Sequence, residues 1–298
     1  MKSLVIGGAG FIGSHLVDRL VSRGPVTVID NLSSGRREFI NPRATLIKCD
    51  AVADLNHFVN HLRNFNICFH LAANPDARHA LTMTRTDLDQ GTVATYNALE
   101  ACRVAGVKRF FFASSGTVYG NTSKLCAEGD LGNLPISLYG ASKLSGEAMV
   151  SAFCECFGIE GYICRFGNVV GSRGTHGCIV DFLKQLKETG RLVVSGDGSQ
   201  RKPYLHVSDC VDAILNVIDH ADGNPAVYNV APVSSTTVRD IARWCAKDRP
   251  IGYGTGGKGW PGDVGESHLS NAKLLAEIGW STKMTSDHAV QLAIEELR

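Results

Sequence analysis

The sequence predicts an α/β protein: a doubly wound parallel sheet, with a smaller mixed α/β lobe beside it. Three observations predict it. Short apolar runs alternate with helical patterns at a steady pitch up to about residue 170, which is the signature of a parallel sheet covered on both faces. A glycine cluster joins the first strand directly to the first helix. After Gly171 the alternation loosens into helices separated by longer loops.

The first strand is Ser3-Leu4-Val5-Ile6. The helix that follows the glycines is marked by Phe11, Ile12 and Leu16. Strands are then expected at 26–30, 44–50, 67–73, 109–113 and 159–166. Each is an apolar run too short for a helix. The intervening helices are expected at 53–62, 86–105 and 139–157. In the second of these Leu88, Val93, Tyr96 and Leu99 recur at helical spacing. Further helices are expected at 179–189, 208–220, 237–246, 271–278 and 286–297, and a Gly-rich loop with Trp260 and Pro261 lies at 250–265. The expected division is a sheet domain at 1–170 and a smaller lobe at 171–298, with 208–230 returning to the main sheet. No internal repeat or low-complexity segment interrupts this plan.

Composition narrows the function class. The chain has 298 residues, is 44% hydrophobic and carries a formal net charge of +1. No basic or acidic block stands out, which argues against a nucleic-acid or membrane-surface role. No apolar run reaches the ~18 residues of a membrane span. A core strand is expected almost at the first residue, so no signal peptide is expected. The 10 cysteines are scattered, with no C-x-x-C pair. They read as reduced, mostly buried small hydrophobes of a cytoplasmic protein, not as a disulfide framework or a metal site.

Gly7-x-x-Gly10-x-x-Gly13 between a strand and a helix is what a dinucleotide pyrophosphate requires. Glycines let the backbone approach the phosphates, and the helix presents free N–H groups and the positive end of its dipole. Asp30 ends the second strand about 20 residues on, where an acceptor for a ribose diol belongs in a Rossmann-type domain. A carboxylate there repels a 2′-phosphate, so NAD is expected and not NADP. Arg36 and Arg37 read as a solvated loop face. Tyr139-Gly140-Ala141-Ser142-Lys143 puts a phenol and an ammonium on one helical face. The ammonium and the positive ring of a bound nicotinamide should both favour phenolate and lower the Tyr139 pKa, making it a usable base. Ser114, Ser115 and Thr117 follow the fifth strand, where hydroxyls face a bound nicotinamide or serve only the local turn.

Together Gly7 to Gly13, Asp30-Asn31-Leu32, His70 to Ala73, Ser114 to Gly120, Tyr139 with Lys143, Arg165 to Asn168 and Gly196 to Gln200 are similar to the extended short-chain dehydrogenase/reductases, in their nucleotide-sugar epimerase and dehydratase group. The resemblance is greatest to the UDP-glucose (UDP-galactose) 4-epimerases. It implies that Gly7, Gly10, Phe11, Ile12 and Gly13 cradle the pyrophosphate. Asp30, Asn31, Ser33, Ser34 and Gly35 would hold the adenosine ribose, with Asp50 and Ala51 by the adenine. Leu71, Ala72, Ala73 and Phe166 would line the rest of the cofactor. Tyr139 becomes the catalytic base, Lys143 its partner and ribose ligand, and Ser115 a bridging hydroxyl.

The related 4,6-dehydratases carry Asp-Glu where Gly116-Thr117 stands, decarboxylases carry Glu at Thr117, and 3,5-epimerases carry Cys there. Thr117 can only hydrogen-bond, which leaves oxidation at one carbon and its reversal. On the substrate side the resemblance implies Asn168, Arg201 or Lys202, Tyr204, Lys258 and Asp263 around a UDP-hexose. The sequence departs from the pattern at three places: Lys202 stands for Arg, Trp260 for a second Arg, and Leu88 for Asn. His176 faces either the sugar or solvent. A homodimer through helices 86–105 and 139–157 is also implied. The alternatives are a dehydratase or reductase on the same scaffold, an epimerase for an N-acetylhexosamine or uronate substrate, or a dinucleotide-binding sensor without turnover.

Overall fold

In the computed structural model, residues 1–52, 59, 61–62 and 64–298 are described. Its centre is a seven-stranded sheet of β1 (Ser3–Ile6), β2 (Val26–Asp30), β3 (Thr45–Lys48), β4 (Ile67–His70), β5 (Arg109–Ser115), β6 (Glu160–Phe166) and β7 (Ala226–Val230). The strand order is β7-β6-β5-β4-β1-β2-β3, parallel throughout. The order reverses between β1 and β4, and ligands of such sheets bind in the crevice beyond the strand ends at that point. The helix expected at 53–62 falls mostly outside the described residues.

The strands inside the edge strand β3 are buried on both faces, so period-two alternation sends apolar side chains to two separate cores. Val5, Val28, Phe69 and Phe111 pack with Leu16, Val17 and Leu20 of α1 (Phe11–Leu20). Leu4, Ile6, Phe110 and Phe112 pack on the other side, with Ala98 and Leu99 of α2 (Ala94–Ala105) and Val150 and Phe153 of α3 (Leu138–Phe157). The Ser137 hydroxyl caps α3 by accepting from the Gly140 N–H at 3.1 Å, which satisfies one of the orphan donors of a helix start. That cap starts the helix one residue before Tyr139.

A third core belongs to α4 (Cys178–Thr189), α6 (Val238–Ala246) and α8 (Ser286–Leu297), around Phe182, Leu192, Ile241 and Ile294. Between α4 and α6 the chain returns to the sheet: α5 (Val207–His220) joins the α1 side and β7 pairs with β6, Val230 opposite Phe166. The short α7 (Ala272–Ile278) packs near β7. All ten cysteines are free, and eight are buried. Among the described residues no helix is long and apolar enough to cross a membrane.

Candidate active site

The carboxyl ends of β1, β2, β4, β5 and β6 open into one cavity of about 920 Å³, which extends under the helices of the third core. At its sheet end lies the glycine turn. A Cβ at Gly13 would stand 2.2 Å from the Gly7 carbonyl oxygen and 2.9 Å from the Gly8 Cα, so helix and turn pack backbone on backbone. α1 begins there with no side-chain cap and no acid in its first turn. Its free N–H groups and dipole therefore face the cavity unneutralised, as an anion requires. Asp30 is held in place by the Ala9 N–H on one oxygen (3.0 Å) and the Leu32 N–H on the other (2.8 Å). The Asn31 amide reaches Asp50 at 3.1 Å. Every residue expected to hold the dinucleotide, from Gly7 to Phe166, lines this one cavity. The cradle fits a pyrophosphate and a ribose diol.

Beyond it lie Ser115, Thr117, Tyr139 and Lys143. The Ser115 hydroxyl accepts from the Thr117 N–H at 3.2 Å, and it acts on the Tyr139 phenol in the direction of a lower pKa. The Thr117 hydroxyl is buried without a hydrogen-bond partner in the structure. Lys143 is buried, donates to the Ala113 carbonyl at 2.7 Å and lies 5.6 Å from the Tyr139 ring centroid. The expected fall in the Tyr139 pKa is not found in the protein alone. Burial, aided by the charge of Asp87, pushes the phenol up to about 12, against a smaller lowering by Ser115. Burial also brings Lys143 down to about 8, opposed by the charges of Asp87 and Glu147. Desolvation is the largest contribution for both members of the pair.

The far end is corrected in two places. Arg201 and Lys258 do not line the cavity; they border a separate shallow depression with Asn121 and Glu266. Arg201 and Lys202 are consecutive on a two-residue strand, so their side chains face opposite ways. Lys202 takes the cavity side. Its ammonium is already paired with Asp263 at 2.6 Å, and the second Asp263 oxygen accepts from the Gly259 N–H at 3.1 Å. Asn168, Tyr204, Trp260 and His176 also line this end; His176 is exposed and bonded to Thr175 at 2.7 Å.

Two residues near the site escaped the sequence reading. Glu147 continues the Tyr139–Lys143 spacing by four more residues, a signal that was present. It forms a buried ion pair with Arg165, with contacts of 2.6 to 3.1 Å, and accepts from the Ser114 hydroxyl. Asp87 gave no signal, since an acid near a helix start is ordinary.

The comparisons with known proteins agree with this geometry. The chain is 30% identical to the UDP-glucose 4-epimerase of Mycolicibacterium smegmatis over 317 residues, covering 100% of this chain and 99% of the relative. A crystal structure of a UDP-galactose 4-epimerase superposes with a TM-score of 0.90 at 39% identity, covering 100% and 98% of the two chains. That of the Thermotoga maritima UDP-glucose 4-epimerase with UDP-glucose gives 0.91 at 30%, covering 100% and 99%. Residues 3–231, which include the glycine turn, Ser115, Tyr139 and Lys143, match one family throughout, and the chain belongs to it: the NAD dependent epimerase/dehydratase family.

Proposed function

We propose that the chain is an NAD-dependent UDP-sugar 4-epimerase of the UDP-galactose/UDP-glucose type, working through a transient 4-keto sugar. One observation carries the reading: Tyr139, Ser115 and Thr117 share one end of the cavity, and neither residue 116 nor residue 117 brings a carboxylate or thiol there. A dehydration needs an acid for the leaving hydroxyl, and Gly116 and Thr117 supply none.

NAD held by the glycine turn and Asp30 would supply a reversible two-electron acceptor for carbon 4 of the sugar. Tyr139, as phenolate, takes the proton of the 4-hydroxyl, with Ser115 bridging. It returns that proton after the keto sugar has turned its other face. Thr117, with an unused buried hydroxyl, orients the sugar by hydrogen bonding. Lys143 holds positive charge beside the phenol and has donors left for a ribose. Lys202 and Asn168 face the diphosphate, and Lys202 exchanges part of its bond to Asp263 for a phosphate oxygen. Much of the acceleration then comes from positioning.

We assign the cofactor and the reacting groups Ser115, Thr117 and Tyr139 to residues 1–170 with 208–230, and the smaller lobe of 171–298 to the closing of the sugar-nucleotide site. Exposed Tyr96 and Val104 on α2 and Phe157 on α3 support a homodimer through these two helices. Ten free cysteines support a cytoplasmic location.

The test is to incubate the purified protein with UDP-galactose and no added NAD+. The expected result is UDP-glucose, with no net change in the nicotinamide absorbance band. Failure to convert UDP-galactose, its N-acetyl analogue or the uronic acid analogue would remove the reading. Net formation of NADH or of a dehydrated sugar would favour a reductase or dehydratase instead.

A further inference from the structure

We infer that Asp87 is a positioning residue for Tyr139 and Lys143: it is the buried anion that sets the pH range in which the pair exchanges protons. The inference rests on the reading of Tyr139 as the base.

Asp87 stands immediately before a π-helical turn, Leu88–Val93, that leads into α2. It is 1% exposed. One carboxylate oxygen accepts from the Asn74 amide at 3.0 Å, and the other is buried without a hydrogen-bond partner in the structure. The turn packs on α3 without clearance. A Cβ at Gly91 would meet the Ser142 hydroxyl at 2.4 Å, and Ser142 is the residue before Lys143. Water is therefore kept from the half-satisfied carboxylate, and its charge acts on what lies beside it. A buried polar group left so calls for a reason, because satisfying or removing it would favour the fold.

The titratable groups that interact with its charge are few: Tyr139 and Lys143 of α3, and His79 of the turn at Ala77–Leu81. Glu147, one turn further on α3, acts on Lys143. His70 of β4 feels the same Lys143 ammonium. The Asp87 carboxylate favours the ammonium form of Lys143 and opposes the phenolate form of Tyr139. Lys143 is thus kept charged in a place where burial strips its proton, and Tyr139 ionises only when another positive charge joins the site. Asp87 touches neither the cavity nor its contents, so its action runs through the pair.

The test compares the wild type with Asp87→Asn, which keeps shape and the hydrogen bond to Asn74 but removes the charge. The first readout needs no substrate. Phenolate ionisation is followed by ultraviolet difference absorbance, and Tyr139 is isolated by subtracting Tyr139→Phe in each background. The second is the pH profile of kcat/KM. In Asp87→Asn, Tyr139 should ionise about one pH unit lower, and both limbs of the profile should move to lower pH by a similar amount. Asp87→Glu should return both toward the wild type. An unshifted phenol in a folded Asp87→Asn protein, or a rate lost equally at every pH, overturns the inference. Asp87→Ser, also neutral, carries the same expectations if the asparagine variant does not fold. A wild type that converts no UDP-sugar defeats the proposed function, while the phenol titration still decides the role of Asp87.

Discussion

Glutamine at position 147 would keep the shape of the glutamate and remove its charge, four residues past Lys143 on α3. Arg165, 2% exposed, would then be a buried cation with only neutral acceptors, the glutamine amide oxygen, the Tyr119 hydroxyl at 2.7 Å and the Glu128 carbonyl at 2.8 Å. Breaking a buried pair from one side costs about 3–5 kcal/mol, most of it the stranded charge. With a shift of about 2–4 °C per kcal/mol in large domains, Glu147→Gln should melt roughly 6–20 °C lower. Differential scanning calorimetry at neutral pH measures this. The control removes both charges: Glu147→Leu with Arg165→Met should recover most of the loss, because a buried pair and an apolar pair of similar volume differ little. A second effect separates the site from the core. Glu147 accepts from Ser114, next to Ser115, and its charge helps keep Lys143 protonated. Turnover should therefore fall in Glu147→Gln even well below its melting range, with the alkaline limb of the pH profile moved to lower pH. A melting point within about 2 °C of the wild type, corresponding to less than about 1 kcal/mol, would refute the reasoning.

Other outcomes follow from the same structure. Gly13→Ala places a methyl 2.2 Å from the Gly7 carbonyl, so the purified variant should release no dinucleotide on acid precipitation, where the wild type does. Tyr139→Phe should lose about 10²–10⁴-fold in kcat, the usual share of a proton-transfer group, while dinucleotide affinity by fluorescence titration stays within a few-fold. Lys202→Ala should raise KM for the sugar nucleotide about 10–100-fold with little change in kcat, the scale of one lost hydrogen bond to a charged group; a kcat effect alone would contradict its placement. Lys143 gives a stability test. Its pKa is about 8 folded and 10.5 as a free side chain, so between these values the unfolded chain binds the extra proton and stability rises with pH. Urea denaturation across that window should show the wild type gaining up to about 3 kcal/mol relative to Lys143→Met.

Much of the molecule is written in short-range pattern. Strand, glycine turn and helix at residues 3–20 determine a phosphate cradle because backbone geometry and helix dipoles act over a few residues. The spacing of Tyr139 and Lys143 determines a shared helical face for the same reason, and the alternation of apolar runs determines the parallel sheet. What only the tertiary structure decided depends on what folds over a residue from far along the chain. Residues 201 and 202 are both cations in the sequence; a two-residue strand assigns one to the cavity and the other away from it. The raised Tyr139 pKa of the protein without its nicotinamide is likewise a tertiary property, because a neighbouring ammonium is visible in a spacing of four, whereas desolvation is not. Nor is the charge of Asp87, brought in by a helix that begins some fifty residues earlier. Burial and long-range charge are properties of the packed chain, and they set the protonation of groups that local sequence can only put in place.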